Sequence, residues 1–311
     1  MAPGKVNING TWKDVAEVSA KVNGAWKEVI EAYSKVNGTW QQWFELIQSV
    51  AFYMTTGSNF SPTRVYKWNF ATAAVSRTTD LNGQHQNTYG WSNRGVAGYM
   101  EEGSKVVRLQ FPTDVKTFAS PPLQSLNLGA ATENPGVSGY VHAGNFSDKV
   151  LKHSFPAETW SYVDPMPTTS TEWNAAMSNG NISAYIHRGN YSDDIYKWDF
   201  ATGTQTASIL STGVGSFQNA GWSNYGVAGY FTGSNNSSST VKINFSTDSD
   251  SVLNGFLQTF LDQATEDPTI AGYIADGFEG DVFKQAYPTE TLSSYTSAPG
   301  RLRGGGAFAD A

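Results

Sequence analysis

GWSNRGVAGY at residues 90–99 returns almost unchanged as GWSNYGVAGY at 221–230, and the reading of the chain turns on that pair. Its ending, small residues before a tyrosine, recurs: VAFY at Tyr53, VAGY at Tyr99, VSGY at Tyr140, ISAY at Tyr185, VAGY at Tyr230 and IAGY at Tyr273. The tyrosines lie 46, 41, 45, 45 and 43 residues apart. Spacings of about 40–45 residues, with short apolar runs between glycine-bearing turns, are the signature of one four-stranded sheet per repeat. Six copies therefore mean six sheets.

After each tyrosine comes a polar turn and then a strand ending in an aromatic: Phe70, Phe111, Phe155, Phe200, Phe245 and Tyr287. Three residues before each aromatic sits a base: Lys67, Arg108, Lys152, Lys197, Lys242 and Lys284. Side chains alternate across a strand, so Tyr66, Trp68 and Phe70 share one face, as do Tyr196, Trp198 and Phe200, with the bases on the other. The aromatic face is expected to pack on the next sheet, and the bases to cover strand edges or acceptors between sheets. A longer period overlies the first. YKWNFATA (66–73) returns as YKWDFATG (196–203), and ATENPGVSGY (131–140) as ATEDPTIAGY (264–273), which points to duplication of a three-sheet unit.

Each unit resembles a divergent kelch-type repeat. Blade 3 carries the likeness in VSGYVHAGN, KVLKHSFPAETW and VDPMPTTST, while the usual double glycine is degraded to HAG, HRG, TTG or ADG. Covering roughly residues 49–311, the resemblance implies an all-β fold, a six-bladed β-propeller, and no particular activity. The first unit starts directly at SVAFYM, without an inner strand, whereas GGGAFADA near residue 311 aligns with the inner strands NAAMSNG and AGWSNYG. The C-terminal segment is expected to supply the missing strand and so close the ring.

Residues 1–48 read as a separate module. VNINGTWKDV, KVNGAWKEV and KVNGTWQQW place Trp12, Trp26 and Trp40 at intervals of 14, each two positions after an Asn-Gly pair. Asn-Gly between β-formers is the strongest short hairpin signal, because both residues tolerate φ > 0. Helices over EVIEAYS and QWFELIQ would not fit so short a unit. Three small hairpins cannot bury Trp12, Trp26, Trp40 and Trp43 among themselves, so these four are expected to meet another chain. The KVNGxWKxV runs, over roughly residues 5–46, resemble repeats of bacteriophage tail and virion structural proteins, especially of marine and cyanophage type.

Composition narrows the function. A net charge of −7 with 20 scattered bases leaves no electropositive stripe for nucleic acid. No cysteine is present, so disulfides and thiolate chemistry are excluded. No stretch of about 18 apolar residues suggests membrane insertion, and MAPGKVNING does not read as an export signal. No GxSxG, HExxH, P-loop or EF-hand pattern occurs, nor the arginine cluster and Asp-box turns of a six-bladed sialidase. Catalytic residues, metal ligands and cofactors are not expected. His142 and His187 hold equivalent places, two after their tyrosines, and a site between adjacent blades is conceivable there; turn chemistry is the simpler reading. Loop aromatics Phe60, Phe146, Tyr191 and Phe278, set among amides and hydroxyls, suit stacking on a sugar ring.

These features favour a non-enzymatic virion structural protein of a bacteriophage, such as a tail-fibre, tail-tip or decoration component. The N-terminal module would dock to other virion proteins as a homo-oligomer, a trimer foremost, and the propeller would face a host-surface glycan or a protein. A cellular kelch-like interaction scaffold and a glycan-processing enzyme are the alternatives.

Overall fold

The computed structural model divides into two compact units, Met1–Gln48 and Ser49–Ala311. In the first it describes the backbone of residues 5–8, 11–14, 19–22, 25–28, 31–36 and 39–45. In the second it describes residues 51–56, 63–81, 89–102, 105–123, 129–142, 148–163, 165, 175–187, 194–206, 210–211, 220–232, 239–253, 263–268, 270–276, 280–287, 289–298, 302 and 307–310.

The first unit contains three antiparallel hairpins: Lys5–Ile8 with Thr11–Asp14, Ser19–Val22 with Ala25–Glu28, and Glu31–Val36 with Thr39–Glu45. Pairing of Ile8 with Thr11, Val22 with Ala25 and Val36 with Thr39 leaves two residues, Asn-Gly, between the strands of each hairpin. EAYSKV and TWQQWFE, where helices were conceivable, are strands. The side chains of Trp12, Trp26, Trp40 and Trp43 lie outside what the structure describes.

The second unit is a six-bladed β-propeller. Its sheets are antiparallel and mostly four-stranded. Blade 2 runs from an inner strand, Gly90–Asn93, through Ala97–Glu102 and Lys105–Gln110 to an outer strand, Val115–Phe118. The inner strands of blades 3 to 6 are Ala130–Asn134, Ala175–Asn179, Gly221–Asn224 and Gln263–Asp267. In blade 4 the outer edge is split, with Thr204–Gln205 and Leu210–Ser211 both pairing with Asp194–Asp199.

Ring closure follows the sequence. Ala307–Ala309 pairs antiparallel with Ala51–Thr56 and becomes the inner strand of blade 1. Beyond the ladder, Ala51 N–H donates to the Asp310 carboxylate at 3.0 Å, and Gly95 N–H donates to the Asp310 carbonyl at 2.9 Å. Phe308, buried, stacks on Tyr53 with ring centroids 5.0 Å apart.

The repeated glycines have a packing reason. A Cβ on Gly98 would fall 1.9 Å from the Phe308 ring, on Gly139 2.2 Å from Trp91, on Gly229 2.2 Å from Met177 and on Gly272 2.1 Å from Trp222. Each glycine thus admits the large inner-strand side chain of the preceding blade. Where that strand offers only Thr132 or Thr265, the next blade carries Ala184 or Phe52 in place of glycine. Large and small residues alternate so that the wedge-shaped gaps fill.

One expectation is reversed. The aromatic face of each third strand packs on the preceding blade, not the next. Trp68 and Phe70 of blade 1 cluster with Tyr273 and Val282 of blade 6, and Trp198 and Phe200 of blade 4 cluster with Tyr140 and Val150 of blade 3. Period-2 alternation tells which residues share a face but not which neighbour that face meets. With the aromatics turned backward, the bases are turned forward.

Candidate functional site

Forward-facing bases meet the tight turn between the third and fourth strands of the following blade. At the blade 1/2 interface Lys67 Nζ lies 3.1 Å from an oxygen of Asp114, and Tyr53 Oη donates to the same carboxylate at 2.6 Å. Arg108 and Tyr99 meet Glu158 at 2.8 and 3.1 Å. Lys197 and Tyr185 meet Asp248 at 2.8 and 2.5 Å, and Lys242 and Tyr230 meet Glu290 at 2.5 and 2.8 Å. Each acid sits at positive φ, between 50° and 56°, which only a tight turn imposes on a residue with a side chain. Burial and the adjacent carboxylate push the Tyr185 and Tyr230 hydroxyls well above their usual range, so each remains a proton donor. Four of the six bases, Lys67, Arg108, Lys197 and Lys242, therefore join blades, as the reading of acceptors between sheets anticipated.

A second cluster lies on the propeller axis. Arg94 and Tyr225 follow the inner strands of blades 2 and 5; Glu133 and Glu266 stand within those of blades 3 and 6. Each pair is three blades apart and so faces across the ring. Arg94 reaches both acids, with Nη2 2.9 Å from Glu133 and 3.3 Å from Glu266, and its guanidinium lies 4.5 Å from the centre of the Tyr225 ring while also touching the Tyr225 hydroxyl. Glu133 is held further by the Ser92 N–H at 3.1 Å. Two acids share one cation in a buried place, and that burial pushes Glu266 up to about 8. The cluster borders an axial cavity of about 60 Å³ lined by all six inner strands. That is room for a few waters, far below the roughly 300 Å³ at which small-molecule pockets begin.

Next to Arg94, at the same turn, one aliphatic side chain in each of blades 2 to 6 stands out into solvent. Val96, Val137, Ile182, Val227 and Ile270 are 41–57% exposed. Their equivalence in blades 2 to 6 makes them a ring around the end of the axis.

The two histidines pack against different blades. His142 is fully buried, with Nε2 3.4 Å from Thr132 Oγ1 and its ring edge-on to Trp198; His187, equally buried, is edge-on to Phe231. Each packs on the aromatics of the blade that follows it. Burial alone lowers His142 to about 3 and His153 to about 4, which leaves both neutral. Among the described residues no group of three or more His, Asp or Glu is placed to hold a metal. Phe60, Phe146, Tyr191 and Phe278 lie outside the described residues.

Neither a protein-family model nor a curated protein sequence matches the chain. Among solved structures 842 chains are similar to it. One, from the crystal structure of a nidogen/laminin complex, aligns with a TM-score of 0.63 at 10% identity, over 84% of this chain and 98% of that one. At that identity the likeness speaks for the propeller fold alone.

Proposed function

We propose that this chain is a non-enzymatic structural protein of a bacteriophage virion, with the hairpin module docking to other virion proteins as a homo-oligomer and the propeller serving as a contact body. The observation that carries the contact role is the ring of exposed Val96, Val137, Ile182, Val227 and Ile270. Five equivalent β-branched side chains left in water around one axis offer a partner protein a repeated set of apolar anchor points. The charged residues nearby, Arg94, Glu133 and Glu266, are committed to one another, in keeping with a rigid platform rather than a reaction centre. The virion assignment rests on the KVNGxWKxV repeats and their likeness to phage structural proteins.

Mass spectrometry of purified particles tests the assignment: the chain should be present at a fixed ratio to the major structural proteins. Particles assembled with Val137→Asp and Ile182→Asp should lose host adsorption or a neighbouring subunit while the purified chain stays folded. Absence from particles would sink the virion reading and leave a cellular interaction scaffold. Turnover of a host polysaccharide would bring back the glycan-processing reading.

A further inference from the structure

Four of the six blade interfaces hold a carboxylate between a tyrosine hydroxyl and a base. The other two do not, because the residue that should carry it is Gly203 in blade 4 and Ala73 in blade 1. The turn backbone is unchanged at both, with φ of 68° and 55°. The receiving pair is unchanged as well: Lys152 lies over the Tyr140 ring at 5.8 Å and Lys284 over Tyr273 at 5.7 Å, as Lys67 lies over Tyr53 at 5.3 Å. Phe200 stacks on Tyr140 at 5.1 Å, as Phe245 does on Tyr185 at 5.0 Å. Only the acid is missing.

The two gaps are not equal. At the blade 6/1 interface Tyr295 packs edge-on to Tyr273 and donates to the carbonyls of Asn69 and Phe70, both at 2.9 Å, so another residue ties the blades. At the blade 3/4 interface the space stays open: a Cβ built on Gly203 meets nothing within 4 Å. Among the described residues the Tyr140 hydroxyl and the Lys152 ammonium have no hydrogen-bond or ion-pair partner, although Tyr140 is only 2% exposed.

We infer that Tyr140, Lys152 and the Gly203 turn form a carboxylate-binding slot, occupied by the side chain of an Asp or Glu that a partner polypeptide presents. The choice of occupant comes from the filled interfaces, which accept Asp114, Glu158, Asp248 and Glu290 alike. A carboxylate on an arm of one or two methylenes is what the site is shaped to hold. A hydroxyl donor and a cation together on one carboxylate make charge-assisted hydrogen bonds, the stronger kind.

The test uses the full chain with ¹³C-lysine, the Lys152 signal being the one lost in Lys152→Gln. Sodium propionate, titrated against equal sodium chloride, should shift Lys152 saturably while leaving Lys67 and Lys197 in place. Tyr140→Phe, which keeps the ring stack, should weaken the response. Gly203→Asp fills the slot from within, and should bring the Lys152 signal close to those of Lys67 and Lys197 and remove the propionate response without loss of fold. A Lys152 response no larger than that of the filled lysines, or one that survives in Gly203→Asp, overturns the slot. Saturation by glucuronate at about one-tenth the propionate concentration would overturn the acidic side chain as occupant and assign an acidic sugar instead.

Discussion

The rim and the axis of the propeller use the same charged groups in opposite ways. At the rim each acid has its own base, and the pairs keep roughly a fifth to a third of their side-chain surface in water. On the axis two acids divide one arginine, and Arg94, Glu133 and Glu266 are each only 13–14% exposed. Exposed pairs contribute at most about 1 kcal/mol, whereas breaking a buried cluster costs about 3–5 kcal/mol because a charge is left behind without its partner. The rim should therefore set how blades register, and the axis should decide whether the ring holds.

Removal of an apolar wall of the axis should have the largest effect. Phe308 comes from the ring-closing strand, lines the axial cavity, and fills the space over Gly98. Phe308→Ala is expected to cost about 3–5 kcal/mol, read as a lower urea midpoint. Deleting residues 307–311 should go further and leave no cooperative transition, since the Ala51–Thr56 strand would become an open edge. A truncated chain that melts like the intact one would show that closure is not what holds the ring.

Arg94→Met should follow, at about 3 kcal/mol near pH 8. The loss should shrink at pH 5, where Glu266 holds its proton and no longer needs a cation. The intact protein carries the same signature. Glu266 has a folded pKa of about 8 against an ordinary 4.5, so the folded state holds the extra proton and stability is lost as pH rises between these values. His142 and His153, lowered to about 3 and 4 from 6.5, act in the opposite sense: their contribution is complete above 6.5 and is lost as pH falls. Above pH 6.5 those histidines are neutral in both states, so Glu266 dominates. Stability should peak near pH 6.5 and fall toward pH 8 by at most about 1.4 kcal/mol per unit. Urea titrations across this range should give that slope, and Glu266→Gln should flatten it; a slope that persists would point to another group.

Why the rim was half legible in sequence and the axis scarcely so has a physical explanation. The spacing of Tyr53, Tyr99 and their equivalents reveals the blades, and the absence of an inner strand before Ala51 reveals the closure, because both are local patterns. The bases were visible as a series. Their acids were not, although Asp114, Glu158, Asp248 and Glu290 stand three residues after the aromatics as regularly as the bases stand three before them. The base and acid that meet belong to successive blades, so no single repeat shows the pair. On the axis the signal was fainter: glutamates at 133 and 266 where other blades have Ser92, Ser178 and Ser223, three repeats apart and so opposed across a six-membered ring. His142 and His187 share a repeated spacing that resembles a site, and burial against Trp198 and Phe231 gives each a packing role that spacing alone does not show.

The smallest expected effect is also the one that most sharpens the contrast. Asp248→Asn keeps the shape of a rim acid and removes its charge, leaving Lys197 partly in water and the Tyr185 hydroxyl still able to donate to the amide oxygen. The cost should be about 0.5 kcal/mol, and at most about 1 kcal/mol. It should shrink further in 1 M salt, where screening acts within about 3 Å. A double-mutant cycle of Asp248→Asn with Lys197→Met isolates the pair energy from incidental effects of either change. The matching cycle on the axis, Glu133→Gln with Arg94→Met, should return a coupling several times larger and nearly indifferent to salt, because that pair is shielded from ions. Equal couplings at the two places would show that burial makes no difference here, and that the ring is held by the sum of its rim contacts rather than by the charge cluster at its centre.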